Sequence, residues 1–515
     1  MIINYFLNFI NNSKFKIHNF LTLIILLLIV ACSTEPQTGS LSGTINLEGQ
    51  QDHSGITVAV YNLAELDQDI VEINEEYPFI GVKISQTTEF DHRFGNLIKY
   101  THTDANGNFK IKNIPTGRYN VVAIKEGFGF KYIYEISITE GDNDISNVEC
   151  LILNSQLNSK FKIQNSKFIS NTSSRNSADI TLYPESYINA DINEETVFET
   201  DHHYIIEEDI FVLGSLTIEP GAVIRLNEGV KLIISGDLTA IGEEENMIWF
   251  TSNDGLDSLI SLYPYTPYTF HRVELTASEA KQVSWCKFDH AGTGLLSKVN
   301  GFSISDCIFR NSSCGFKSEN VDSTFCSNLL CKTITNESYA GIYFNQVADG
   351  CIEKNVIINC ENGMKIKTYS NPEVKNNYFD NCNTGIDISF YSNPLIKFNE
   401  IENCYYGLKT LENTNIILEM NNIFTQIGLK VEIRSQTNIV SNNNIKSLNY
   451  SIKLDKWTAD VSAENNYFYT TNNTIIEELI YDKNDVEPSQ QQLYGEVAYE
   501  PFLIQEYSYA GIQSQ

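Results

Sequence analysis

Residues 355–376, NVIINCENGMKIKTYSNPEVKN, and residues 377–398, NYFDNCNTGIDISFYSNPLIKF, are consecutive units of one 22-residue repeat. Asparagine opens each unit and recurs at the same step through Asn355, Asn377, Asn399, Asn421, Asn443 and Asn465. An apolar or aromatic residue follows each Asn two positions later, and a Cys and a Gly share the period. Such a period is typical of a solenoid, because a unit this short buries an apolar face only by stacking on its neighbours.

Within one unit the apolar residues alternate with polar ones, as at Met364 and Ile366 and again at Ile386 and Ile388. Alternation indicates strands rather than a helix, and the Asn, Gly and Asn-Pro positions divide each unit into about three short strands. Coils of this kind, stacked ~4.8 Å apart, form a parallel β-helix. We predict that the repeated Asn side chains form a buried column in which each amide hydrogen-bonds to the Asn of the next coil.

The 22-residue step extends toward the N-terminus, because it also links Leu216, Leu238 and Ile260. The solenoid is therefore predicted to begin near residue 205. Counting coils from there to residue 470 gives about twelve of them.

The segment Glu219-Pro220-Gly221 and the Asn-Asn-x-Phe/Ile coils resemble bacterial right-handed parallel β-helix repeat proteins of the pectin-lyase-like superfamily. A short helix at 475–482 followed by an extended segment at 497–503 resembles the C-terminal closure of those proteins, and a cap is needed because the last coil would otherwise expose a strand edge. The predicted fold class is all-β: a right-handed parallel β-helix with its cap at 181–505 and a tail at 506–515, preceded by a small β-sandwich.

Residues 1–31 form a predicted targeting segment. Two lysines precede an apolar run that is too short to span a bilayer comfortably, and the run ends in Ile29-Val30-Ala31-Cys32, which resembles a bacterial lipobox. The resemblance implies cleavage before Cys32, acylation of that Cys, a tether at 32–40, and the lipid bilayer as a partner. The implied location is the bacterial cell envelope, at the outer membrane or the cell surface. An ordinary signal peptide or an uncleaved anchor is the alternative.

Residues 41–152 resemble the carboxypeptidase regulatory-like family, a small β-sandwich that usually serves as a non-catalytic spacer. The resemblance rests on the stretch from Asp104 to Phe128, where Asn106-Gly107 is a hairpin signal, and residues 62–98 look like an insertion. Asp104 and Asn106 lack the further acidic ligands of a calcium loop, so a hairpin is predicted there rather than a metal site. Residues 153–180, rich in Asn and Ser, are predicted to be a flexible linker.

The net charge and the spacing of the cysteines limit the kinds of ligand that this protein is expected to bind. A formal net charge of −30 over 515 residues argues against nucleic acid, which needs a basic face. We predict no metal centre and no cofactor, with weak structural calcium on the acidic surface left open. None of the eleven cysteines forms Cys-x-x-Cys, so zinc is not indicated. Most are predicted to be small buried fillers, and disulfides such as Cys307 with Cys314 stay open.

Enzymes of the pectin-lyase-like superfamily act on acidic polysaccharides, with clustered acids, calcium or basic residues at their sites. This chain has no Gly-His-Gly, no Arg-x-Lys and no Asp-Asp pair on the solenoid. A glycosidase needs two carboxylates that face each other across the bond that is cleaved. Asp380, Asp387 and Glu402 are instead predicted to face outward as solvated acids. Asp289-His290 is predicted to be a surface pair. We therefore predict no catalytic residues.

The favoured hypothesis is non-catalytic binding of glycans by outward tyrosines. Tyr369 and Tyr391 repeat as Tyr-Ser-Asn-Pro at the 22-residue step, and flat rings suit sugar faces. We expect them to form an aromatic stripe with Tyr405, Tyr406 and the loop tyrosines, which are Tyr263, Tyr265 and Tyr268. The alternatives are a polysaccharide lyase or glycoside hydrolase, and a structural or assembly scaffold of the envelope.

Overall fold

The computed structural model describes residues 37–146, 180–253, 272–276, 281–299, 302–319, 323–326, 329–331, 340–435 and 438–513. These residues fall into two compact units. The first includes residues up to 63, 96–124 and 130–181, and the second includes 64–95, 125–129 and 182–515. Several predictions concern residues outside the described part of the chain: the targeting segment, Cys32, nearly all of the linker, Tyr263, Tyr265 and Tyr268. None of the described helices is long and apolar enough to cross a lipid bilayer.

The first unit consists of two β-sheets. One contains Asn108–Pro115, Thr38–Leu47 and Gly141–Asp144, and the other contains Leu97–His102, Thr57–Asn62, Gly117–Ile124 and Lys131–Ile138. Alternate side chains such as Leu41, Ile45, Val58 and Val121 are fully buried, as expected where two sheets bury their inner faces. A further strand, Ile180–Leu182, lies at the unit boundary.

The predicted hairpin at Asn106-Gly107 is wrong. The chain does turn there, because the Asp104 carboxylate accepts hydrogen bonds from the backbone N–H groups of Asn106 and Asn108, both at 2.9 Å. However, the flanking strands Leu97–His102 and Asn108–Pro115 belong to different sheets. The turn therefore connects the two sheets instead of closing a hairpin.

The second unit is a right-handed parallel β-helix, which confirms the predicted fold class. Each turn contributes a strand to three parallel sheets in succession. Within the described residues, the first sheet has 13 strands: Thr196–Phe198, Leu216–Ile218, Leu238–Ile241, Lys281–Ser284, Phe302–Ser305, Ser323–Cys326, Gly350–Glu353, Glu373–Lys375, Leu395–Lys397, Ile417–Glu419, Asn438–Ser441, Val461–Ser462 and Val497–Ala498.

The other two sheets follow in each turn and are joined through the last long strands, Asn422–Val431 and Asn444–Leu454, which take part in both. The second sheet contains Ser186–Ile188, His203–Ile206, Val223–Leu226, Ile248–Ser252, Cys286–Asp289, Ile308–Arg310, Leu329–Cys331, Val356–Ile358, Tyr378–Asp380 and Glu400–Glu402. The third contains Ile210–Val212, Lys231–Ile234, Arg272–Leu275, Thr293–Ser297, Cys314–Glu319, Ala340–Asn345, Asn362–Lys367, Thr384–Ser389, Tyr406–Leu411 and Ile480–Tyr481.

The Asn column forms as predicted. Each Nδ2 donates to the Oδ1 of the next coil at 2.9–3.0 Å, in the pairs Asn355–Asn377, Asn377–Asn399, Asn399–Asn421, Asn421–Asn443 and Asn443–Asn466. All six amides are fully buried. The last member corrects the prediction, because one extra residue in the final coil places Asn466 in the column and leaves Asn465 outside it with a φ of 63°.

The predicted register of Ile260 is wrong. Leu238 pairs with Lys281 in the first sheet, and Ile260 falls between them, outside the described residues. That turn is therefore much longer than 22 residues.

Residues 64–95, which the sequence places in the insertion, belong to the same compact unit as the solenoid. They contain the helices Gln68–Glu76 and Gln86–Glu89. Ile70 and Ile73 of the longer helix lie in one apolar cluster with Val356, Ile358 and Tyr378 of the second sheet. This segment therefore covers part of the outer face of the second sheet.

The C-terminus closes the solenoid. The helix Asn473–Glu478, shorter than the predicted helix, leads into Ile480–Tyr481, and the 3₁₀ turns Lys483–Asp485 and Gln491–Leu493 precede Val497–Ala498. The two short strands pair with the third and first sheets. The last residues then run back along the second sheet, where Tyr507 N donates to Asn444 Oδ1 at 2.7 Å.

Candidate functional site

One corner of the β-helix, between the third and first sheets, carries a column of side chains, of which four are large and exposed and one, Asn413, is half-buried. Its members, one per turn, are Tyr369, Tyr391, Asn413, Arg434 and Trp457, which we call the corner column. All five have left-handed backbone conformations, with φ of 59°, 63°, 60°, 65° and 66°. Backbone hydrogen bonds connect the successive turns at this corner, including Asn413 N to Arg434 O and Arg434 N to Trp457 O, each at 2.8 Å.

The sequence after each column residue explains why the chain turns here. Every member is followed directly by Ser or Thr, at Ser370, Ser392, Thr414, Ser435 and Thr458. The hydroxyls of Ser370, Ser392 and Thr458 donate to the carbonyl three residues earlier at 2.5, 2.8 and 3.0 Å. Small hydroxyl side chains satisfy the backbone of a tight turn in this way. With the hydroxyl turned inward, the preceding side chain projects from the corner.

The aromatic members are well placed to accept a flat ligand. The rings of Tyr369 and Tyr391 stack with centroids 5.1 Å apart and an interplanar angle of 13°. Tyr369 is 59% exposed, Tyr391 47% and Trp457 60%. Large aromatic rings are usually buried on at least one face, so three rings in one exposed column are unusual for a surface without a ligand.

Exposed amides run beside the aromatic rings. Asn371, Asn393 and Asn415 stand two positions after the column residues. The first two accept a hydrogen bond from the backbone of the next turn: Asn393 N donates to Asn371 Oδ1 at 2.8 Å, and Asn415 N donates to Asn393 Oδ1 at 2.9 Å. Amide groups still offer donors outward after these bonds. The corner therefore combines ring faces with hydrogen-bonding groups, which is the chemistry that a sugar ring requires.

The corner also stores backbone strain. A non-glycine residue in the left-handed region costs roughly 1–2 kcal/mol, and bulky side chains are unusual there. Strained backbone that the surrounding structure holds in place is often found at binding sites. Glycine would be the easier residue at Tyr369 and Tyr391, so the aromatic side chains are retained at a cost in stability.

The structure separates the predicted aromatic stripe into different sites. Tyr369 and Tyr391 come together, as predicted. Tyr406 pairs instead with Thr384 and Ile427 in the third sheet, and Tyr405 packs edge-on against Tyr406. The position one coil beyond Tyr391 is Asn413, so the inclusion of Tyr405 and Tyr406 in the stripe is wrong.

The acidic residues considered in the sequence lie away from the corner column. Asp387 is in the third sheet, where Lys365 Nζ lies 3.9 Å from its carboxylate. Asp380 and Glu402 are register partners in the second sheet, and Asp380 is buried rather than solvated as predicted. Asp387 therefore does not face Asp380 or Glu402 across a shared cleft.

Acidic side chains in the second sheet give a pH-dependent stability. Burial raises the pKa of the Glu400 carboxyl to about 8. The hydrogen bond from Asn422 lowers this pKa, and repulsion from Glu402 and Glu76 raises it further. Because the folded-state pKa lies above the ordinary value of 4.5, stability is lost as pH rises between these values and levels off above about 8. We expect Glu400→Gln to flatten this decline in urea unfolding at a series of pH values. A decline of unchanged slope in the variant would contradict this role for Glu400.

A second cluster of polar residues lies under the 64–95 segment. Ligand atoms of Asp91, Asp289 and His290 lie within 4.8 Å of one another. Asp289 is fully buried, so the predicted surface pair Asp289-His290 is wrong. Lys287 Nζ and Arg310 Nε lie 3.6 and 3.9 Å from the Asp289 carboxylate. Two cationic groups already compensate these acids, so the cluster fits an ionic contact better than a divalent metal.

A protein-family profile supports the fold of the solenoid. The sequence profile described as "Right handed beta helix region" matches residues 331–468. No curated protein matches the chain. Among solved structures, the periplasmic alginate epimerase AlgG is similar at 13% identity over 62% of this chain and 78% of that chain, with a TM-score of 0.38.

A second solved structure, DFA-IIIase from Arthrobacter chlorophenolicus A6 in complex with GF2, shares 10% identity over 58% of this chain and 89% of that chain, with a TM-score of 0.28. At these values the likeness carries no information about activity. The functional conclusion therefore depends on the residues of this chain alone.

Proposed function

We propose that this protein is a non-catalytic, envelope-anchored module that binds polysaccharide along the outside of its β-helix. The observation that carries the proposal is the exposed, stacked pair of Tyr369 and Tyr391 on a rigid corner. Their ring faces would pack against the apolar faces of sugar rings, and Asn371 and Asn393 would hydrogen-bond to the hydroxyl groups. Acylation of Cys32 remains the predicted means of attachment.

The rigidity of the corner favours this function. Each tyrosine stands on a backbone fixed by interstrand hydrogen bonds, Tyr369 N to Phe390 O at 3.0 Å and Tyr391 N to Glu412 O at 3.1 Å. A preorganised surface loses little conformational entropy on binding. A binding role also needs no pair of opposed carboxylates, and Asp380, Asp387 and Glu402 lie on the second and third sheets rather than at this corner.

The proposal is tested by the double variant Tyr369→Gly/Tyr391→Gly. Aromatic anchors of this kind are each worth about 1–2 kcal/mol, so we expect at least about a thirtyfold loss of affinity. Stability should stay within about 1 kcal/mol of the parent, because glycine relieves left-handed strain while the stacking of the rings is lost. Affinity gel electrophoresis against a panel of neutral and acidic polysaccharides measures binding, and urea unfolding measures stability.

Tyr405→Ala is the matched control, because Tyr405 is as exposed as Tyr391, at 47%, but lies outside the column. We expect it to bind like the parent. Equal retention of the parent and the double variant, or no retention of the parent by any polysaccharide, would overturn the proposal.

A further inference from the structure

We infer that the binding surface continues past the two tyrosines to Trp457, so that the protein takes a long, linear oligosaccharide lying along the solenoid axis rather than a terminal sugar. The inference rests on the proposed function and extends it to three further residues, Asn413, Arg434 and Trp457.

The column is continuous because its members occupy the same backbone position in successive turns. The spacing from Asn413 to Arg434 and from Arg434 to Trp457 departs from 22 residues, yet each residue keeps the left-handed φ and is followed by the same hydroxyl position. The Oγ atoms of Thr414 and Ser435 lie 3.2 Å apart. These inner hydroxyls fix the outer residues as neighbours in one column.

The length of the column sets the size of the ligand. Five positions on successive turns span four strand spacings, or ~19 Å. A disaccharide would cover only one end of such a surface. Because turns stack along the solenoid axis, a ligand that contacts all five positions must run parallel to that axis.

The side chains at the two ends of the column are aromatic, and those in its middle are polar. Two stacked rings stand at one end and an indole at the other, and Asn413 and Arg434 lie between them. The Arg434 guanidinium is exposed, and its planar group can stack on a ring and donate several hydrogen bonds. A chain of several sugars would thus have ring contacts at both ends and hydrogen bonds in the middle.

The column ends at Trp457. The backbone N–H of Trp457 donates to Leu493 O at 2.5 Å. Leu493 is the last residue of the 3₁₀ turn Gln491–Leu493 in the C-terminal cap. The cap therefore occupies the following turn, which makes the indole the last platform of the surface.

The test is a chain-length series, from disaccharide to octasaccharide, of cello-, manno-, xylo- and galacturono-oligosaccharides, titrated into the full chain by calorimetry. For the series that binds, we expect affinity to rise steeply between the disaccharide and the hexasaccharide. Trp457→Ala should lower the affinity for long oligosaccharides at least about tenfold and leave the affinity for the disaccharide unchanged. Tyr405→Ala is again the control.

Tryptophan fluorescence gives an independent readout. Of the three tryptophans, Trp249 is buried and Trp285 packs against the apolar cluster under residues 64–95, so ligand-induced quenching reports on Trp457. Hexasaccharide should quench and disaccharide should not. If Trp457→Ala binds every length like the parent while the tyrosine variant loses binding, the inference fails and the proposed function stands. If the tyrosine variant binds every length like the parent, or no oligosaccharide binds, both fail.

Discussion

Asn399→Leu is expected to lower the free energy of unfolding of the solenoid by about 3–5 kcal/mol, the sum of a few unsatisfied buried polar groups at about 1–3 kcal/mol each. The Asn399 Nδ2 group donates to Val374 O, Lys397 O and Asn421 Oδ1, all at 2.9 Å. Its Oδ1 accepts from the backbone N–H and the side chain of Asn377 at 3.0 Å. Leucine has a similar volume but leaves these groups without partners inside a fully buried column.

Urea unfolding monitored by circular dichroism measures the effect of Asn399→Leu. Asn383→Ala is the control, because Asn383 is exposed and its side chain hydrogen-bonds to Glu361 Oε1 at the surface. We expect the control to change stability by less than about 0.5 kcal/mol. A loss as small as this for Asn399→Leu would mean that the amide column does not hold the coils together.

Arg93→Ala is expected to detach the 64–95 segment from the second sheet. The Arg93 guanidinium pairs with Asp91 at 2.8 Å and donates to Thr251 Oγ1 and Ser252 O, each at 2.9 Å. Alanine would leave the Asp91 carboxylate, 5% exposed, with its main partner removed. Breaking a buried pair by removing one partner costs about 3–5 kcal/mol. We expect this cost to exceed the free energy that holds the short segment on the sheet.

Hydrogen exchange and limited proteolysis within residues 64–95 follow the detachment. The control is Arg118→Ala, which breaks a more exposed pair with Glu135 and should cost at most about 1 kcal/mol. Unchanged protection of the 64–95 segment in Arg93→Ala would show that the apolar contacts of Ile70 and Ile73 suffice to hold it.

The periodic features of the fold are readable from the sequence because each depends on contacts between residues one turn apart. The Asn column needs the same side chain at the same register, so the repeat alone predicts it. Where a coil gains one residue, as before Asn466, or a long excursion, as between Leu238 and Lys281, the count fails, since the geometry follows the strand register.

The docking of residues 64–95 was not predicted, because it depends on contacts between segments far apart in sequence. One signal was present. Val356-Ile357-Ile358 is apolar at three consecutive positions, and all three are buried. A strand of that kind has both faces covered, so its outer face requires a partner from elsewhere in the chain. The sequence does not say which segment supplies it.

The candidate site was half predicted. Tyr369 and Tyr391 keep the 22-residue step and the identical Tyr-Ser-Asn-Pro motif, so repetition reveals them. Arg434 falls out of that step, because it lies 21 residues after Asn413, and only the Ser that follows it marks it. Trp457 lies four 22-residue steps after Tyr369 but does not repeat the Tyr-Ser-Asn-Pro motif. A hydroxyl register, read together with the apolar one, would have extended the column to Trp457.

The corner column as the binding surface is tested most directly by hydroxyl-radical footprinting with mass spectrometry, with and without the polysaccharide that the protein retains. Tyrosine and tryptophan are readily oxidised when exposed, so each ring reports its own coverage. We expect oxidation of Tyr369, Tyr391 and Trp457 to fall together when polysaccharide is bound, while Tyr405 stays as reactive as before. Protection of Tyr405, with the three column residues unchanged, would contradict the assignment of this corner.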